Sequence, residues 1–516
     1  MDASIESVKL VVGLEVHVEL ATRSKMFSRA PSPAHPGHDG AGPNTLIDPV
    51  VLGLPGALPV INRGAVEMAM MVGMALGCQI APVTKWDRKS YFYPDLPKSY
   101  QISQYDLPLC FDGGLDVPAV DAKGRPDFSG PSRRIGIIRA HLEEDAGKLL
   151  HEAPGGRAID GSIIDLNRAG TALLEIVTQP DLTSADEAVL FARTLRNICR
   201  FLGVTEGVMQ KGHMRFEPNI NCHLTLSDGH LVKTPIVEIK NLNSFKSLKG
   251  AIEFELRDQP RRWMEDRRVM GRGTKVTRGW DDARGVTVVQ REKEDAHDYR
   301  YFPDPDLPPV SVGAEWREGV RARIPELPND LLKRYVREFD LDAAEAAVLV
   351  EEREGCRFFE ACTEGMVALS VPRARAGRVA ANFMLQSGAR RANERGVMVH
   401  ELGVRAGDVA AIGKLREDGA VSAQNADELF GLFCDAAVHG RAVEEVARER
   451  GMIVVRDDAA LARWCDEAIA AQPQSAADVK AGKAAAVGRL VGEVMKRSGG
   501  KADAKAAREM LLEKLK

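Results

Sequence analysis

The sequence is poor in the features that cross-link a chain or carry it across a membrane. Its eight cysteines are scattered over 516 residues without a CxxC pair, which argues against a disulfide framework or a zinc knuckle. No apolar run approaches the roughly 18 residues of a membrane span. The start, MDASIESVKL, is acidic and short of apolar residues, so we expect neither a secretory signal nor a transit peptide. Together these absences predict a cytoplasmic protein without a membrane partner.

A strong net charge is also missing. The formal charge of −4 at pH 7 excludes a uniformly basic RNA coat, so any nucleic-acid surface has to be local. A chain of 516 residues is too long for one hydrophobic core, and a typical size of about 150 residues per domain predicts about three domains.

Strand-like and helical patterns divide the chain unevenly. Residues 1–296 mix both patterns between glycines and prolines, and YRYFPDPDLPPV at 299–310 reads as a stiff domain exit. Beyond it, apolar residues recur at helical spacing. We therefore predict an α+β fold with a large, mixed α/β cradle-like domain (1–296), an all-helical domain (297–406) and a helical tail domain (407–516). On the last strongly amphipathic helix, Gly488 and Gly492 suggest close packing.

The most informative stretch is VGLEVHVEL, residues 12–20. As a strand, it sends Leu14, Val16, Val18 and Leu20 to one face and Glu15, His17 and Glu19 to the other. An edge strand with a solvated polar face would show the same alternation.

Further carboxylates favour a functional interpretation of that stretch. Glu143, Glu144 and Asp145 are consecutive in HLEEDAGK, and Glu175 interrupts an apolar run, where a carboxylate is costly to bury without a cation or donors. Converging acids with one imidazole indicate a divalent ion, and oxygen ligands favour magnesium or manganese.

Six motifs in order give a specific resemblance. They are VGLEVHVEL, DRKSYFYPDLPKSYQISQYD, HLEEDAGK, DLNRAGTALLEIVTQPD, EIKNLNSF and DYRYFPDPD. With the tail segment KAGKAAAVGRLVGEVMK, they resemble the B-subunit family of the aspartyl/glutamyl-tRNA amidotransferases nearly from end to end.

The resemblance implies an ATP-dependent carbon–nitrogen ligase. Hydroxide is too poor a leaving group for direct amide formation, so ATP would phosphorylate the side-chain carboxylate of Glu-tRNA(Gln) or Asp-tRNA(Asn), and ammonia would displace the phosphate. A partner amidase subunit (A) would release that ammonia from glutamine, and a small subunit (C) would complete the enzyme. No GxxxxGK[ST] motif is present, so the nucleotide would be held without a P-loop.

The resemblance also implies the site residues. The magnesium ligands carry over to Glu15, His17, Glu144 and Glu175, with Glu143 as the second choice for ligand or base and Glu19 as a possible surface carboxylate. The residues expected to bind ATP or the acyl phosphate are Lys89, Lys98, Lys148, Asn167, Arg168, Arg215, Lys240, Asn241 and Asn243. Tyr91 and Tyr93 could hold the terminal adenosine or the aminoacyl end, or could be core aromatics.

Two departures from the family pattern stand out. Many members bind zinc through four cysteines, whose positions here are Ser28, Ala30, Asp48 and Val51, so we expect no zinc. In MRFEPNIN, Glu217 replaces a shorter acid and Pro218 removes a backbone donor, which puts a copied catalytic role for Glu217 in doubt.

The tail holds the one concentrated basic region. Residues 480–516 contain ten Lys or Arg against four Asp or Glu. These side chains would contact the phosphates of misacylated tRNA, although a solvated amphipathic helix pair would have the same composition. The residues we expect to bind tRNA are Lys480, Lys483, Arg489, Lys496, Arg497 and Lys501.

Two other functional classes fit the same residues. The chain could be a non-catalytic tRNA-docking scaffold whose acidic cluster is structural. Clustered carboxylates beside a basic tail would also fit a metal-dependent nuclease, which would cleave tRNA without ATP.

Overall fold

A computed structural model of the chain describes residues 4–153, 156–292, 299–438, 440–454, 458–481, 486–500 and 502–515. Internal contacts divide the chain into two compact units, residues 1–327 and 328–516. The first unit mixes helices with a large sheet and the second is helical, which confirms the predicted α+β class. The three-domain division stays a prediction, and its first boundary lies outside the described residues. Within them, no helix is long and apolar enough to cross a membrane.

The first unit is organised around one 13-stranded sheet. Its strands follow the order β17-β16-β15-β13-β1-β12-β9-β5-β4-β18, with β14 added beside β13, β6 beside β9, and β2 beside β6. All neighbours are antiparallel except β15 and β16. The strands of the unit are β1 Ile5–Glu19, β2 Gln79–Ile80, β3 Val83–Thr84, β4 Asp87–Ser90, β5 Tyr100–Ser103, β6 Cys110–Val117, β7 Ala119–Val120, β8 Pro126–Asp127, β9 Arg133–Glu144, β10 Lys148–Ala153, β11 Arg157–Asp165, β12 Ala172–Thr178, β13 Met214–Leu226, β14 Leu231–Lys233, β15 Val237–Lys240, β16 Val276–Asp281, β17 Val286–Glu292, β18 Phe302–Pro303 and β19 Val310–Ser311.

Strand β1 runs through the middle of this sheet between β12 and β13. Its apolar side chains Leu14, Val16, Val18 and Leu20 are at most 1% exposed, so alternation predicted this face correctly. Burying each such side chain contributes about 1.5 to 3 kcal/mol to folding. The opposite face of β1 is therefore fixed in register as well, since a one-residue slip would bury the charges in the core.

Helices cover the apolar face of the sheet. They are α1 Arg63–Ala75, α2 Ala185–Phe201 and α3 Phe245–Asp266, and α4 Ala314–Arg321 packs against α1. Helix α2 buries Phe191, Leu195 and Ile198 on one side, and Ser184 begins it by accepting a hydrogen bond from the backbone N–H of Glu187. With α2 and α3 on one face, the charged face of the sheet is left for a site.

The second unit is built from helices, with one π-helical segment at Phe383–Gly388. The α-helices are α5 Pro328–Phe339, α6 Ala343–Leu349, α7 Arg353–Ala368, α8 Arg373–Asn382, α9 Ala389–Arg395, α10 Ala406–Glu417, α11 Ala423–Phe433, α12 Val443–Glu449, α13 Asp458–Ala471, α14 Pro473–Lys480, α15 Val487–Arg497 and α16 Ala504–Lys514.

The last helices share their own apolar cluster. Val487, Leu490 and Val494 of α15 pack with Leu511 of α16 and Cys465 of α13. The expectation of close packing at Gly488 and Gly492 is wrong, because both glycines face outward and a Cβ atom on either would meet nothing within 4 Å. They lie on the solvent side of the helix, away from the apolar stripe.

Close helix packing does occur at Gly377 in α8, and it yields a stability prediction. A Cβ atom there would lie 2.2 Å from Cδ1 of Phe339, which is 1% exposed and has no room to move. We expect Gly377→Ala to destabilise the second unit by about 1 to 3 kcal/mol through overpacking. Calorimetric unfolding should show the lower transition temperature.

Gly407→Ala in α10 is the matched control. A Cβ atom there meets nothing within 4 Å, so the substitution should be neutral or stabilising by up to about 1 kcal/mol. An unchanged transition for Gly377→Ala would contradict the close packing of α8 against α5.

Candidate functional site

The charged face of the sheet brings together residues from four strands. His17 pairs with Glu175 of β12 on one side and with Arg215 of β13 on the other, and Glu175 pairs with His141 of β9. Directly paired residues of antiparallel strands point to the same face of the sheet. Residues two positions along each strand share that face, so Glu15, Glu19, Glu143 and Glu217 belong to it.

His17, Glu143 and Glu175 form the first acidic cluster, with one ligand atom of each lying within 4.8 Å of the others. Nε2 of His17 is 3.4 Å from Oε2 of Glu175 and 3.9 Å from Oε1 of Glu143. The three side chains are mostly buried, with exposed fractions of 14%, 4% and 14%. This donor set fits a divalent cation, since one imidazole and two carboxylates approach one another closely enough to share an ion.

Glu15, Glu217 and Glu238 form a second group of the same kind. Lys240 makes ion pairs with Glu217 and Glu238, the latter at 2.9 Å. His17 links the two groups, because its Nδ1 lies 3.9 Å from Oε1 of Glu217. The charge at Glu217 is therefore kept beside the first cluster, even though its side chain is one methylene longer than the acid that the resemblance implies.

The structure places Glu144 apart from the first cluster, and its role as a ligand stays a prediction. Glu143 and Glu144 are adjacent on β9 and point to opposite faces, and the structure places Glu143, not Glu144, beside His17 and Glu175. Glu144 instead pairs with Lys98 and accepts a hydrogen bond from the backbone N–H of Ile102. Lys98, a predicted phosphate contact, is engaged in this ion pair, and Glu15 lies in the second group.

The electrostatics of the first cluster show what a cation would replace. Burial alone would lower the pKa of His17, but the carboxylates of Glu175 and Glu217 outweigh it and raise the pKa to about 9. Burial and the charge of Glu175 raise the pKa of Glu143 to about 7. At neutral pH the positive charge among these carboxylates is thus a proton on His17, whose place a divalent cation could take.

Glu19 is buried, so the alternative of a surface carboxylate is wrong. It is 5% exposed. Burial, followed by the charge of Asp145, raises its pKa to about 8. Asp145 in turn accepts a 2.7 Å hydrogen bond from Nη2 of Arg215 and lies 3.6 Å from Nε of Arg168. A carboxyl pair with two guanidinium groups therefore continues the charged face beyond His17.

A cavity of about 820 Å³ opens beside these clusters. Lys89, Tyr91, Tyr93, Lys240 and Tyr299 are among its lining residues. Nζ of Lys89 lies 5.0 Å from the ring centre of Tyr299, and the rings of Tyr91 and Tyr93 meet edge to face. Two cations and several aromatic rings at one opening match the needs of a nucleotide or of a nucleic-acid end.

The remaining residues predicted to contact phosphate differ in their hydrogen-bond partners and in their exposure. The guanidinium of Arg168 donates to the carbonyls of Ala146 and Gly147, at 3.0 and 2.6 Å. The Asn167 side chain accepts from the Leu46 N–H and donates to the Gly42 carbonyl, so its amide holds a loop. Lys148, Asn241 and Asn243 are exposed.

Several site residues were not predicted from the sequence. His141, Glu238, Lys275 and Tyr299 all lie on or beside the charged face. The signal for His141 was present in HLEEDAGK, since it stands two residues before Glu143 on the same strand. Glu238 precedes Lys240 by the same spacing. Once Glu175 is known to pair with His141, alternation along β9 brings His141 and Glu143 to the same face.

The positions that the resemblance assigns to a zinc site do not fit that metal. Ala30 and Val51 pack with Ala169 in a small apolar cluster. Asp48 accepts a hydrogen bond from the Val51 N–H at 2.9 Å, and Ser28 accepts one from the Ala30 N–H at 3.1 Å. Apolar contacts and local turns hold this loop, and these four positions offer no thiolate.

Comparison with known proteins agrees with the sequence motifs. The model of the GatB/GatE catalytic domain matches residues 10–318, and that of the GatB domain matches residues 368–515. The chain is 44% identical over 508 residues to the B subunit of the aspartyl/glutamyl-tRNA(Asn/Gln) amidotransferase of Thermomicrobium roseum, covering 98% of each chain. It is 41% identical over 507 residues to the protein of the same name from Rhodopirellula baltica, covering 98% of this chain and 96% of the relative. The corresponding figure for Thermosynechococcus vestitus is 40% over 518 residues, covering 100% and 98%.

The buried carboxyl of Glu19 yields a prediction about pH and stability. In the folded chain Glu19 keeps its proton up to about pH 8, whereas the unfolded chain releases it near the ordinary value of 4.5. Stability should therefore fall as the pH rises from about 5 to 8, and Glu19→Gln should remove that part of the fall. Because one unit of pKa shift corresponds to about 1.4 kcal/mol, we expect the difference to exceed about 1 kcal/mol.

Urea unfolding at pH 5 to 8 with a chelator present measures this effect. Tryptophan fluorescence follows mainly the first unit, which contains Trp86, Trp263, Trp280 and Trp316. Glu6→Gln, at an exposed position of the same strand, should keep the wild-type pH profile. Identical profiles for Glu19→Gln and the wild type would contradict a protonated Glu19.

Proposed function

This chain belongs to the family of B subunits of the tRNA-dependent amidotransferases, and from this membership and the site geometry we propose that it carries the ATP-dependent amidation site of such an enzyme. The observation that carries the proposal is the His17–Glu143–Glu175 cluster on the sheet face beside the cavity that Lys89 and Lys240 line. The substrate would be the misacylated Glu-tRNA(Gln) or Asp-tRNA(Asn).

The chemistry requires an activated carboxylate. The side-chain carboxylate of the esterified amino acid attacks the γ-phosphorus of ATP, which releases ADP and forms an acyl phosphate. Ammonia then attacks the acyl carbon, phosphate leaves, and loss of a proton gives the amide. Phosphoryl transfer of this kind depends on positioning and charge neutralisation, which is what a chain without a P-loop has to supply from its own side chains.

Each group on the sheet face has a task in this scheme. His17, Glu143 and Glu175 would hold Mg²⁺, and the ion would neutralise charge on the transferred phosphoryl group. Lys89 and Lys240 face the cavity and would bind phosphate oxygens, with Arg215 held toward the same face by Asp145. Tyr91, Tyr93 and Tyr299 would pack against the adenosine of ATP or of the tRNA end.

Ammonia would come from a partner. The chain shows no glycine- and serine-rich amidase signature, so glutamine hydrolysis is assigned to the amidase subunit, with the small third subunit completing the enzyme. This assignment gives the partners their roles and leaves phosphorylation and amidation to this chain.

The tail supplies the proposed tRNA contact. Arg489 and Lys496 are exposed on α15, the helix on which Gly488 and Gly492 present an open surface without side chains. Arg497 already pairs with Glu493 at 2.9 Å and with Glu467 at 3.3 Å, which makes it the weaker candidate. Lys480 is exposed at the end of α14, whereas Lys483 and Lys501 lie outside the described residues.

The active-site assignment predicts the effect of removing single charges. Glu143→Gln and Glu175→Gln should each lower ATP-, glutamine- and misacylated-tRNA-dependent amide formation at least about 100-fold in the reconstituted three-subunit enzyme, because the cation loses a charged ligand. Glu152→Gln, at an exposed position on the β10–β11 hairpin, should retain the wild-type rate. Full activity of Glu175→Gln, or tRNA fragmentation without ATP, would contradict the proposal.

Glu144→Gln distinguishes the proposed ligand set, which contains Glu143, from the set implied by the resemblance, which contains Glu144. If His17, Glu143 and Glu175 hold the cation, Glu144→Gln keeps wild-type cation affinity in calorimetric titration while Glu143→Gln loses it. The reverse result would restore Glu144 as the ligand that the resemblance implied.

The tail assignment is tested with point substitutions, because deleting residues 480–516 would also remove Leu490, Val494 and Leu511 from the apolar cluster. The double variant Arg489→Ala/Lys496→Ala should weaken tRNA binding, and its slope of log K against log salt should fall by roughly one for each phosphate that is no longer neutralised. Arg448→Ala, an exposed arginine on α12, is the control. An unchanged salt slope in the double variant would exclude this surface.

A further inference from the structure

A row of tyrosine rings lies at the edge of the sheet beyond β9. Strands β5, β4 and β18 end the strand order on this side, and each tyrosine stands within three residues of one of them. Neighbouring ring centres are 5.9, 6.2, 6.3 and 4.2 Å apart along the row. From the cavity outward, this tyrosine row consists of Tyr93, Tyr91, Tyr299, Tyr301 and Tyr105.

The tyrosine row continues the charged face of the sheet. Ser103 of β5 pairs with Glu143 of the first acidic cluster and donates a 3.2 Å hydrogen bond to its Oε2. On its other side Ser103 pairs with Asp87 of β4, and Lys89 stands two residues further along that strand. Paired residues and residues two positions apart share a face, so Lys89 points to the charged face as well. Its Nζ lies 5.0 Å from the ring centre of Tyr299, which joins the row to the acidic cluster.

Part of the tyrosine row lies outside the cavity. Tyr91, Tyr93 and Tyr299 line the cavity, whereas Tyr301 and Tyr105 are not among its lining residues. These two rings are nearly parallel, with 13° between their planes. Tyr93 and Tyr105, at the two ends, are 48% and 49% exposed, unlike the buried rings of a hydrophobic core. A single adenine contacts one or two rings at a time, so a row of this length fits several bases in succession.

Arg300, between Tyr299 and Tyr301, adds a positive charge to the row. It is exposed and lines the cavity, and its φ of +47° lies in the left-handed region. That conformation is costly for a residue with a Cβ atom, and such strain collects at ligand-binding sites. In the described part of the chain, neither Arg300 nor Lys89 forms an ion pair with a carboxylate. Rings for stacking and cations for phosphates are the two requirements of a single-stranded nucleic acid.

We propose that the tyrosine row holds the unpaired 3′ end of the misacylated tRNA. The terminal adenosine stacks on Tyr91 and Tyr299, and the nucleotides before it lie on Tyr301 and Tyr105, with Arg300 beside a phosphate. This inference rests on the proposed function, in which the esterified amino acid has to reach the first acidic cluster. It assigns the aromatic rings to the tRNA and leaves the adenine of ATP to another part of the cavity.

Tyr105→Ala in the reconstituted three-subunit enzyme tests the row, with intact tRNA and tRNA lacking its last three nucleotides as the two probes. Loss of one stacking ring should weaken binding of the intact tRNA about tenfold and leave the affinity for the shortened tRNA and the KM for ATP unchanged. Tyr105→Phe keeps the ring and should match the wild type. Phe302→Ala is the matched control, since Phe302 is 46% exposed but pairs with Arg88 and points to the other face. An unchanged affinity, an equal loss for both tRNAs, or a change confined to the KM for ATP overturns the proposal.

Arg300→Gln tests the phosphate contact. One lost contact to a single strand should lower the slope of log K against log salt by about 0.7 for intact tRNA and leave the slope for the shortened tRNA unchanged. Arg284→Gln, exposed in the turn between β16 and β17, should leave both slopes unchanged. Equal slopes in Arg300→Gln and the wild type overturn this contact.

Photo-cross-linking of the wild-type enzyme decides the matter if Tyr105→Ala does not fold. A tRNA that carries 4-thiouridine in place of its second-last nucleotide should cross-link to peptides containing Tyr105 or Tyr301. Cross-links only to the second unit, residues 328–516, overturn the proposal.

The outcomes separate this inference from the proposed function. Wild-type tRNA affinities in Tyr105→Ala, together with loss of amide formation in Glu175→Gln, remove the role of the tyrosine row and leave the proposed function intact. Full activity of Glu175→Gln removes the proposed function, whereas the difference between intact and shortened tRNA still tests the row.

Discussion

The structure depends on the compensation of acidic side chains along one face of a central sheet. Strand β1 contributes Glu15, His17 and Glu19 to that face, and β9, β12 and β13 add Glu143, Glu175 and Glu217. Two carboxylates about 5 Å apart repel by roughly 3 kcal/mol at an effective dielectric constant near 20. The fold offsets this repulsion with a proton on His17, with Arg215 and with Lys240, and the proposed cation would take the place of that proton.

The sequence predicted the two faces of β1, whereas the ligands on the neighbouring strands stay predictions. Alternation in VGLEVHVEL correctly divided β1 into an apolar and a charged side, because the period of two is a property of every strand. The choice between Glu143 and Glu144 depended on which face of β9 points to β1. That parity follows from the pairing of Glu175 with His141, which is a tertiary contact and cannot be read from β9 alone.

Strand β13 shows a second limit of sequence reasoning. Pro218 argues against a central strand, since proline cannot donate to the ladder. The structure nevertheless pairs Pro218 with Leu14 of β1, while β15 joins β13 only from Asn219 onward. The burial of Glu19 and the open surface at Gly488 were also misjudged. The groups around Glu19, such as Asp145 and Arg215, are distant in the sequence. A Cβ atom at Gly488 would meet no neighbour at all within 4 Å. The local sequence pattern carries no information about either environment.

The small apolar cluster of Ala30, Val51 and Ala169 lies in the loop for which the family resemblance implied a thiolate-bound ion in other members. Methyl and isopropyl groups need no metal supply and offer no sulfur to an oxidant. The structure of this loop would therefore not change in a cell that is short of zinc or under peroxide stress. Zinc supply and oxidation would then have no route through this loop to affect amide formation on tRNA.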